Sequence, residues 1–460
     1  MKIQPKVICH TQKAKELLAM QSQLMESQWW SDSELREWQF EQLNALLSHA
    51  IRNVPYYEGL FEKLGIALDQ AVDQTTWAEI PILSRSEVRC LGEQLFARSY
   101  PASLGVSGIF STGGSTGIPV TVKKTELDGF IWDSMNLREE LWHRDYFTGT
   151  IANLRGINSE LYSSDIFQSH AKKLAGGIVI QNWGSPTDQV WETGEMGIMQ
   201  PGKPLSDQAN FLLELKPDYL LIKPSHLRLL ISYFHENQLK LASLKSIWTM
   251  SEDVDDNLRC FCKDTFGCSI VSNYSSAEVG YIALQCPESN NLHIMAEANY
   301  VEIINYAGKP CAPGELGKVI VTPLHNFAMP LIRYEIGDEV EMGHPCSCGR
   351  GLPTIKRIVG RLASYLTLKN GDKRQLDFSH YRLSAIRSIL EFQLAQISLE
   401  KIELRLVVSK EFTDADLDFI NKMMQKSFGK DFEYEIIFCQ QIPRATSGKL
   451  MQFISELKLN

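Results

Sequence analysis

The chain has 460 residues and a formal net charge of -9, with 44% hydrophobic and 22% charged residues. That length exceeds what one hydrophobic core usually serves, so at least two domains are expected. The acidic balance speaks against a nucleic-acid partner, and no apolar run reaches the roughly eighteen residues that a membrane span needs.

The start, MKIQPKVICHTQKAKELLAM, carries lysines but no continuous apolar stretch, so no signal peptide is expected. Ten cysteines spread without a disulfide framework fit a reducing cytoplasm, the location expected for this protein. The first part of the chain reads as helical. SDSELREWQFEQLNALLSHAIRN has Ser31 and Asp32 as caps and apolar residues at helical spacing; it stops before VPYY, where Pro55 disfavours further helix. Trp29 and Trp30 before it read as helix packing. Beyond residue 105, strands and helices alternate: YLLIKPSHLRLLISYFHEN reads as strand, turn and helix, and LKSIWTM and CSIVSNY as buried strands. From residue 299 the pattern turns to β, in YVEIINYAGKP, GELGKVIVTPL and DEVEMG. After Gly360, YLTLKNGDKRQL carries an Asn-Gly hairpin signal. A helix is predicted over 379–395, a strand over 401–408, a helix over 413–428 capped by Thr413, and a final strand at FEYEIIFC. Met423 and Met424 read as core filling. The fold class is therefore α/β: a large domain of helix-covered mixed sheets with a β-rich subdomain, and a small α+β unit able to move as one body.

Within that frame, STGGSTGIPVTV is nearly free of bulky side chains. Its backbone N–H groups can form a concave nest for an anion, and Thr112, Ser115 and Thr116 add hydroxyl donors. No Gly-Lys-Ser/Thr follows, so it is not a Walker A loop; a plain surface turn is the competing reading. Distant segments offer the rest of a nucleotide site. NYSSAEVG sets Tyr274, whose phenol can stack on a purine, four residues before Glu278, whose carboxylate can hold Mg²⁺. LIRYEIGDEV presents Asp338 at a Gly-Asp turn, suited to accept bonds from ribose hydroxyls. Arg361 follows Gly360, and IPRATSGKLMQF puts Lys449 after a Ser-Gly turn.

Another constellation has metal-ligand spacing. Cys286 and His293 form C-x6-H, and 52 residues later Cys346 and Cys348 form C-x-C. Three thiolates and an imidazole make a closed tetrahedral set of the kind that holds structural zinc and leaves no open position. Pro and Gly around the pairs favour tight turns. Separate loop thiols are the competing reading, and His344 and Cys268 are reserve ligands.

Taken together, these segments resemble the adenylate-forming superfamily, in its branch of phenylacetate-CoA ligases and CapK / coenzyme F390 synthetase-like proteins. EQLNALLSHAIRNVPYYEGLFEKLGI with IPILSRSEV is similar to that branch's N-terminal region, STGGSTGIPV to its phosphate loop and NYSSAEVG to its Tyr-Gly-x-Thr/Ser-Glu motif. RYEIGD resembles its Tyr-x-x-Gly-Asp motif, GRLAS its hinge and PRATSGKL its lysine motif. The resemblance implies an ATP- and acyl-binding domain over 1–359 and a mobile domain over 360–460. It implies that Thr112, Gly113, Gly114, Ser115, Thr116 and Gly117 cradle the β- and γ-phosphates and Glu278 holds Mg²⁺. Tyr274 and its neighbour Ser275 would meet the adenine, Asp338 the ribose and Arg361 the nucleotide near the hinge. Lys449 would bridge the α-phosphate and the attacking carboxylate. Zinc on Cys286, His293, Cys346 and Cys348 is implied as well, since some CapK-like members carry such a pattern.

The expected chemistry is activation of an aryl or small hydrophobic carboxylic acid by ATP through an acyl-adenylate, finished by coenzyme A. A carrier-protein thiol or an amine stays open as acceptor, as does a degenerate module that only binds ATP. A monomer or homodimer with no membrane partner is expected. The chain departs from the family pattern at Ser275, Ala277, Val120, Ala363 and Ser364, and in SED over 251–253. Trp132, Trp142 and Trp183 hint at a flat acid.

Overall fold

The computed structural model describes residues 8–9, 11–65, 71–111, 119–144, 146–155, 171–361, 365–375, 383, 386–444 and 450–457. The chain divides into two compact units: residues 1–145, 189–191 and 273–362, and residues 146–188, 192–272 and 363–460.

Helices open the first unit. Gln12–Ser27 starts where the Thr11 hydroxyl accepts the Ala14 N–H, and Asp32–Asn53 where Ser31 and Glu34 form a reciprocal capping box. Pro55 does more than end that helix. It occupies the first turn of a new one, Pro55–Leu64, where its missing N–H costs nothing and its fixed φ suits the helix. These helices bury Leu43, Leu46, Tyr57 and Phe61 in one core with the sheet. The sheet is antiparallel throughout, in the order 299–304, 316–323, 334–342, 354–361, 292–294, 280–285 and the end of 269–276. Helix Glu126–His143 packs on it, pinned by Arg138. The Arg138 guanidinium, 2% exposed, donates to both oxygens of Glu297, at 3.0 and 2.8 Å, and to the Leu24 carbonyl at 2.6 Å.

The second unit holds a mixed sheet. Strands 269–272, 246–249, 219–221, 151–153 and 196–198 run parallel, and 177–180 and 172–174 complete it antiparallel. Helices Leu205–Leu215, Pro224–Glu236 and Asp256–Phe266 supply Phe211, Leu230, Phe234 and Leu258 to its core. Trp183 lies in this unit, 1% exposed, its indole N–H donating to the Gly149 carbonyl at 2.9 Å; it is core rather than a surface for a flat acid. The same unit contains a four-stranded sheet in the order 433–438, 401–408, 389–396, 453–455. Helix Asp414–Phe428, capped by Thr413 as expected, links 401–408 to its parallel neighbour and buries Met423 and Met424.

The helix predicted over 379–395 is corrected from residue 389 onward. Ile389–Gln396 is a central strand, antiparallel to 401–408 and parallel to 453–455, and almost wholly buried. Its apolar run is long enough for either element, and pairing on both edges selects the strand. The earlier part of that prediction falls largely outside the described residues. The Asn-Gly hairpin forms, with Tyr365 opposite Gln375 and Thr367 opposite Lys373.

Candidate nucleotide site and cysteine-histidine cluster

Strand Ser269–Ser276 carries Tyr274 and turns back through Ala277, Glu278 and Val279 into strand Gly280–Gln285. The Ser276 hydroxyl accepts the Val279 N–H at 3.2 Å, and Gly280 takes φ +81°, which closes the turn without a Cβ penalty. Glu278 therefore sits at a hairpin tip, yet it is 4% exposed.

Tyr274 and Asp338 come together across 64 residues: the phenol donates to Asp338 Oδ2 at 2.7 Å. Asp338 lies in strand Tyr334–Met342, in register with Arg361 on the neighbouring strand. Gly360 just before it has φ +128°, a conformation L side chains rarely adopt. Ser275 faces elsewhere, its hydroxyl 3.4 Å from Asn273 Oδ1. Three of the expected nucleotide residues thus share one region of the sheet. The phosphate loop 112–117 and Lys449 lie outside the described residues. The strands flanking that loop pair antiparallel, Ser111 opposite Thr121.

Arg85 has no role in the sequence reading, and it ion-pairs with the Glu278 carboxylate and donates to the Tyr334 hydroxyl at 3.2 Å. Helix Arg85–Leu91 begins with a capping box between Ser84 and Glu87, and Leu83 bridges to Tyr334 in the sheet. That anchoring aims the guanidinium at Glu278. The only signal in the sequence was IPILSRSEV, a cap followed by arginine. Lys124 stands within electrostatic reach as well; burial lowers its pKa, against the pull of Asp128 and Glu278. An Arg85→Leu change is expected to destabilise the protein by about 3–5 kcal/mol, because it strands a buried carboxylate. Urea unfolding measures this, and an unchanged midpoint contradicts it.

The second constellation assembles in full. The ligand atoms of Cys286, His293, Cys346 and Cys348 all lie within 4.8 Å of one another. The Cys346 and Cys286 sulfurs are 3.6 Å apart, and the Cys348 sulfur is 3.3 Å from His293 Nε2. Zn–S bonds of about 2.3 Å and Zn–N bonds of about 2.0 Å at tetrahedral angles place ligand atoms roughly 3.5–3.8 Å apart, close to those spacings. His293 is fully buried, and burial lowers its pKa to about 4, so the ring is neutral, as a ligand must be. Its Nδ1 faces the Leu352 carbonyl at 3.2 Å, which leaves the Nε2 lone pair for the cluster. Burial also pushes the Cys286 thiol up to about 11. The Glu288 N–H donates to Cys286 Sγ at 3.4 Å. The reserve ligands are not in the quartet: Cys268 instead lies 3.9 Å from Cys262. Trp142 packs edge-on against His293, and Trp29 is half exposed with Arg350 over its ring at 5.0 Å. Trp142 thus serves the cluster, and Trp29 serves a cation contact rather than helix packing.

A family model described as the CapK C-terminal domain matches residues 374–456. A phenylacetate-coenzyme A ligase of Escherichia coli strain K12 is 23% identical over 445 residues, covering 90% of this chain and 93% of its own. Protein CapK of Staphylococcus aureus is 21% identical over 435 residues, covering 93% and 90%. Over most of its length, then, the chain is similar to phenylacetate-CoA ligases and to protein CapK. Among solved structures, 2-hydroxyisobutyryl-CoA ligase in its postadenylation state with 2-HIB-AMP matches this adenylate-forming fold with a TM-score of 0.69 at 16% identity, over 93% of this chain and 90% of that one. That likeness is one of fold. Among the described residues, no helix is long and apolar enough to cross a membrane.

Proposed function

We propose that this protein is an AMP-forming ligase that activates a carboxylic acid with ATP as an acyl-adenylate and passes the acyl group to coenzyme A. The observation that carries the reading is the Tyr274–Asp338 hydrogen bond beside the Glu278 hairpin, in a chain similar to phenylacetate-CoA ligases. A phenol bonded to a carboxylate puts an aromatic face for a base next to an acceptor for ribose hydroxyls. Thr112 to Gly117 bind the phosphates, and Arg361 supports the nucleotide. Lys449 supplies positive charge where the carboxylate meets the α-phosphate, two anions that otherwise repel. Glu278 would hold magnesium, which takes one or two carboxylates and keeps several waters. The pivot between 1–359 and 360–460 is Gly360, whose φ of +128° a side chain would strain. Zinc on the Cys286, His293, Cys346 and Cys348 quartet is structural, since four protein ligands leave no open position.

The acid is of the aryl or small hydrophobic class. Pyrophosphate release across aryl and short-chain acids, with and without coenzyme A, tests this. Release that requires one acid identifies it. Release without a thioester on adding coenzyme A moves the acceptor to a carrier-protein thiol or an amine, and no acid-dependent release at all overturns the reading.

A further inference from the structure

Cys262 and Cys268 meet in the core of the second unit, their sulfurs 3.9 Å apart. Neither belongs to the metal-ligand quartet, and neither has a part in the chemistry proposed above. Local structure explains the meeting. Cys262 lies on the buried side of helix Asp256–Phe266, with Leu258 and Phe266. Gly267 ends that helix in the left-handed region, at φ +73°, its N–H donating to the Lys263 carbonyl at 2.9 Å. The cap turns the chain into strand Ser269–Ser276, which begins directly after Cys268. The Cys262 thiol donates to the Cys268 carbonyl at 3.5 Å. Arg259, one turn earlier on the helix, donates to the Ile270 carbonyl at 2.7 Å and to the Ser272 hydroxyl at 3.0 Å, so it ties helix to strand and sets a cation beside the thiols.

We propose that Cys262 and Cys268 are a redox pair, which hydrogen peroxide converts to a disulfide that staples helix Asp256–Phe266 to the start of strand Ser269–Ser276. The Cys268 thiolate attacks one peroxide oxygen, the O–O bond breaks, and hydroxide leaves, taking up the proton the thiol gave up to become water. The Cys262 sulfur then attacks the Cys268 sulfenic acid. An S–S bond forms, the S–O bond breaks, and the departing hydroxide takes the Cys262 proton as a second water. Two thiols are oxidised and one peroxide is reduced to two waters. The hydrogen bond from Cys262 draws the Cys268 pKa below its usual value, against burial, which favours Cys268 as the attacking sulfur. Side-chain rotation has to bring the sulfurs from 3.9 Å to about 2.0 Å. Cys268 is 5% exposed and Cys262 0%, so the oxidant is a small one, and the sulfenic acid forms with its resolving thiol already in contact.

The full-length protein carrying Cys260→Ser, which removes the exposed thiol on the same helix, tests the pair. It is treated with hydrogen peroxide, its remaining thiols are alkylated in denaturant, and its tryptic peptides are mapped. Cleavage after Lys263 separates the two cysteines unless sulfur joins them. The expected product is a linked pair of peptides, two hydrogens lighter than its parts, that dithiothreitol releases. Deuterium exchange over 262–270 is expected to slow about tenfold in the oxidised protein. With Cys262→Ser added, exchange should stay at the untreated rate and dimedone should trap Cys268 as its sulfenic acid. No linked pair, sulfinic acid at Cys268 without a link, or linkage of either sulfur to another cysteine overturns the proposal. A linked pair with unchanged exchange overturns the staple. The mapping is read on the Cys260→Ser protein itself, so it decides the pair even where the second substitution prevents folding.

Discussion

A Cys348→Ser protein is expected to lose its zinc and to melt about 6–20 °C below its parent, as breaking a buried charged constellation costs roughly 3–5 kcal/mol and each kcal/mol moves a unit of this size by about 2–4 °C. The cluster joins three separated pieces of the first unit: the end of strand Gly280–Gln285, strand Leu292–Ile294 and the turn at 346–351. Without metal, burial keeps the Cys286 thiol protonated, with a pKa of about 11, and Cys286 and Cys346 meet through a weak sulfur contact. The turn in its turn grips the helical N-terminus. The Gly351 N–H donates to the Gln28 carbonyl at 2.9 Å, and a Cβ on Gly351 would come within 1.7 Å of the Trp30 carbonyl oxygen. Arg350 lies over both Trp29 and Trp142, at 5.0 and 4.9 Å. Tryptophan fluorescence should therefore report metal loss before global unfolding. Plasma mass spectrometry of the purified protein and a calorimetric scan check the prediction. A parent protein with less than about a tenth of an equivalent of zinc, or a variant that melts with its parent, refutes it.

Lys449→Ala should slow acid-dependent pyrophosphate release by about 10²–10³-fold, the scale for removing one electrostatic stabiliser from a preorganised site. The carboxylate and the α-phosphate both carry negative charge as they approach, and an ammonium group between them is worth most at that moment. Reaction of pre-formed acyl-adenylate with coenzyme A should be untouched, because that step has no such meeting of anions. A variant that forms acyl-AMP at the parent rate rules out this role.

Much of this was legible in the chain. The Thr413 cap with Asp414 and Asp416 in the first turn marked helix Asp414–Phe428 to within a residue. Asn370-Gly371 marked its hairpin, and C-x6-H with C-x-C named all four members of the metal-ligand quartet. The failures share a cause. ILEFQLAQ has no periodicity that separates a buried strand from a buried helix, and only pairing on both edges decides it. Pro55 ends the helix before it, as read from the sequence; that the same ring also begins the next helix was not read. Arg85 was invisible as a partner of Glu278 because 193 residues separate them.

The amino-acid order alone determined the short-range matters: caps, turns, apolar periods and the spacing of the carboxylate, phenol, thiol and imidazole side chains. These depend on neighbours within a few residues, so they can be read along a line. Only the tertiary structure decided which of those side chains meet. Tyr274 reaches Asp338 because their strands lie in one sheet, Cys348 reaches His293 because strand 354–361 pairs with 292–294, and Arg444 reaches Ser225 across 219 residues. Strand register and helix packing set those meetings, and both are products of the whole buried core rather than of any local stretch.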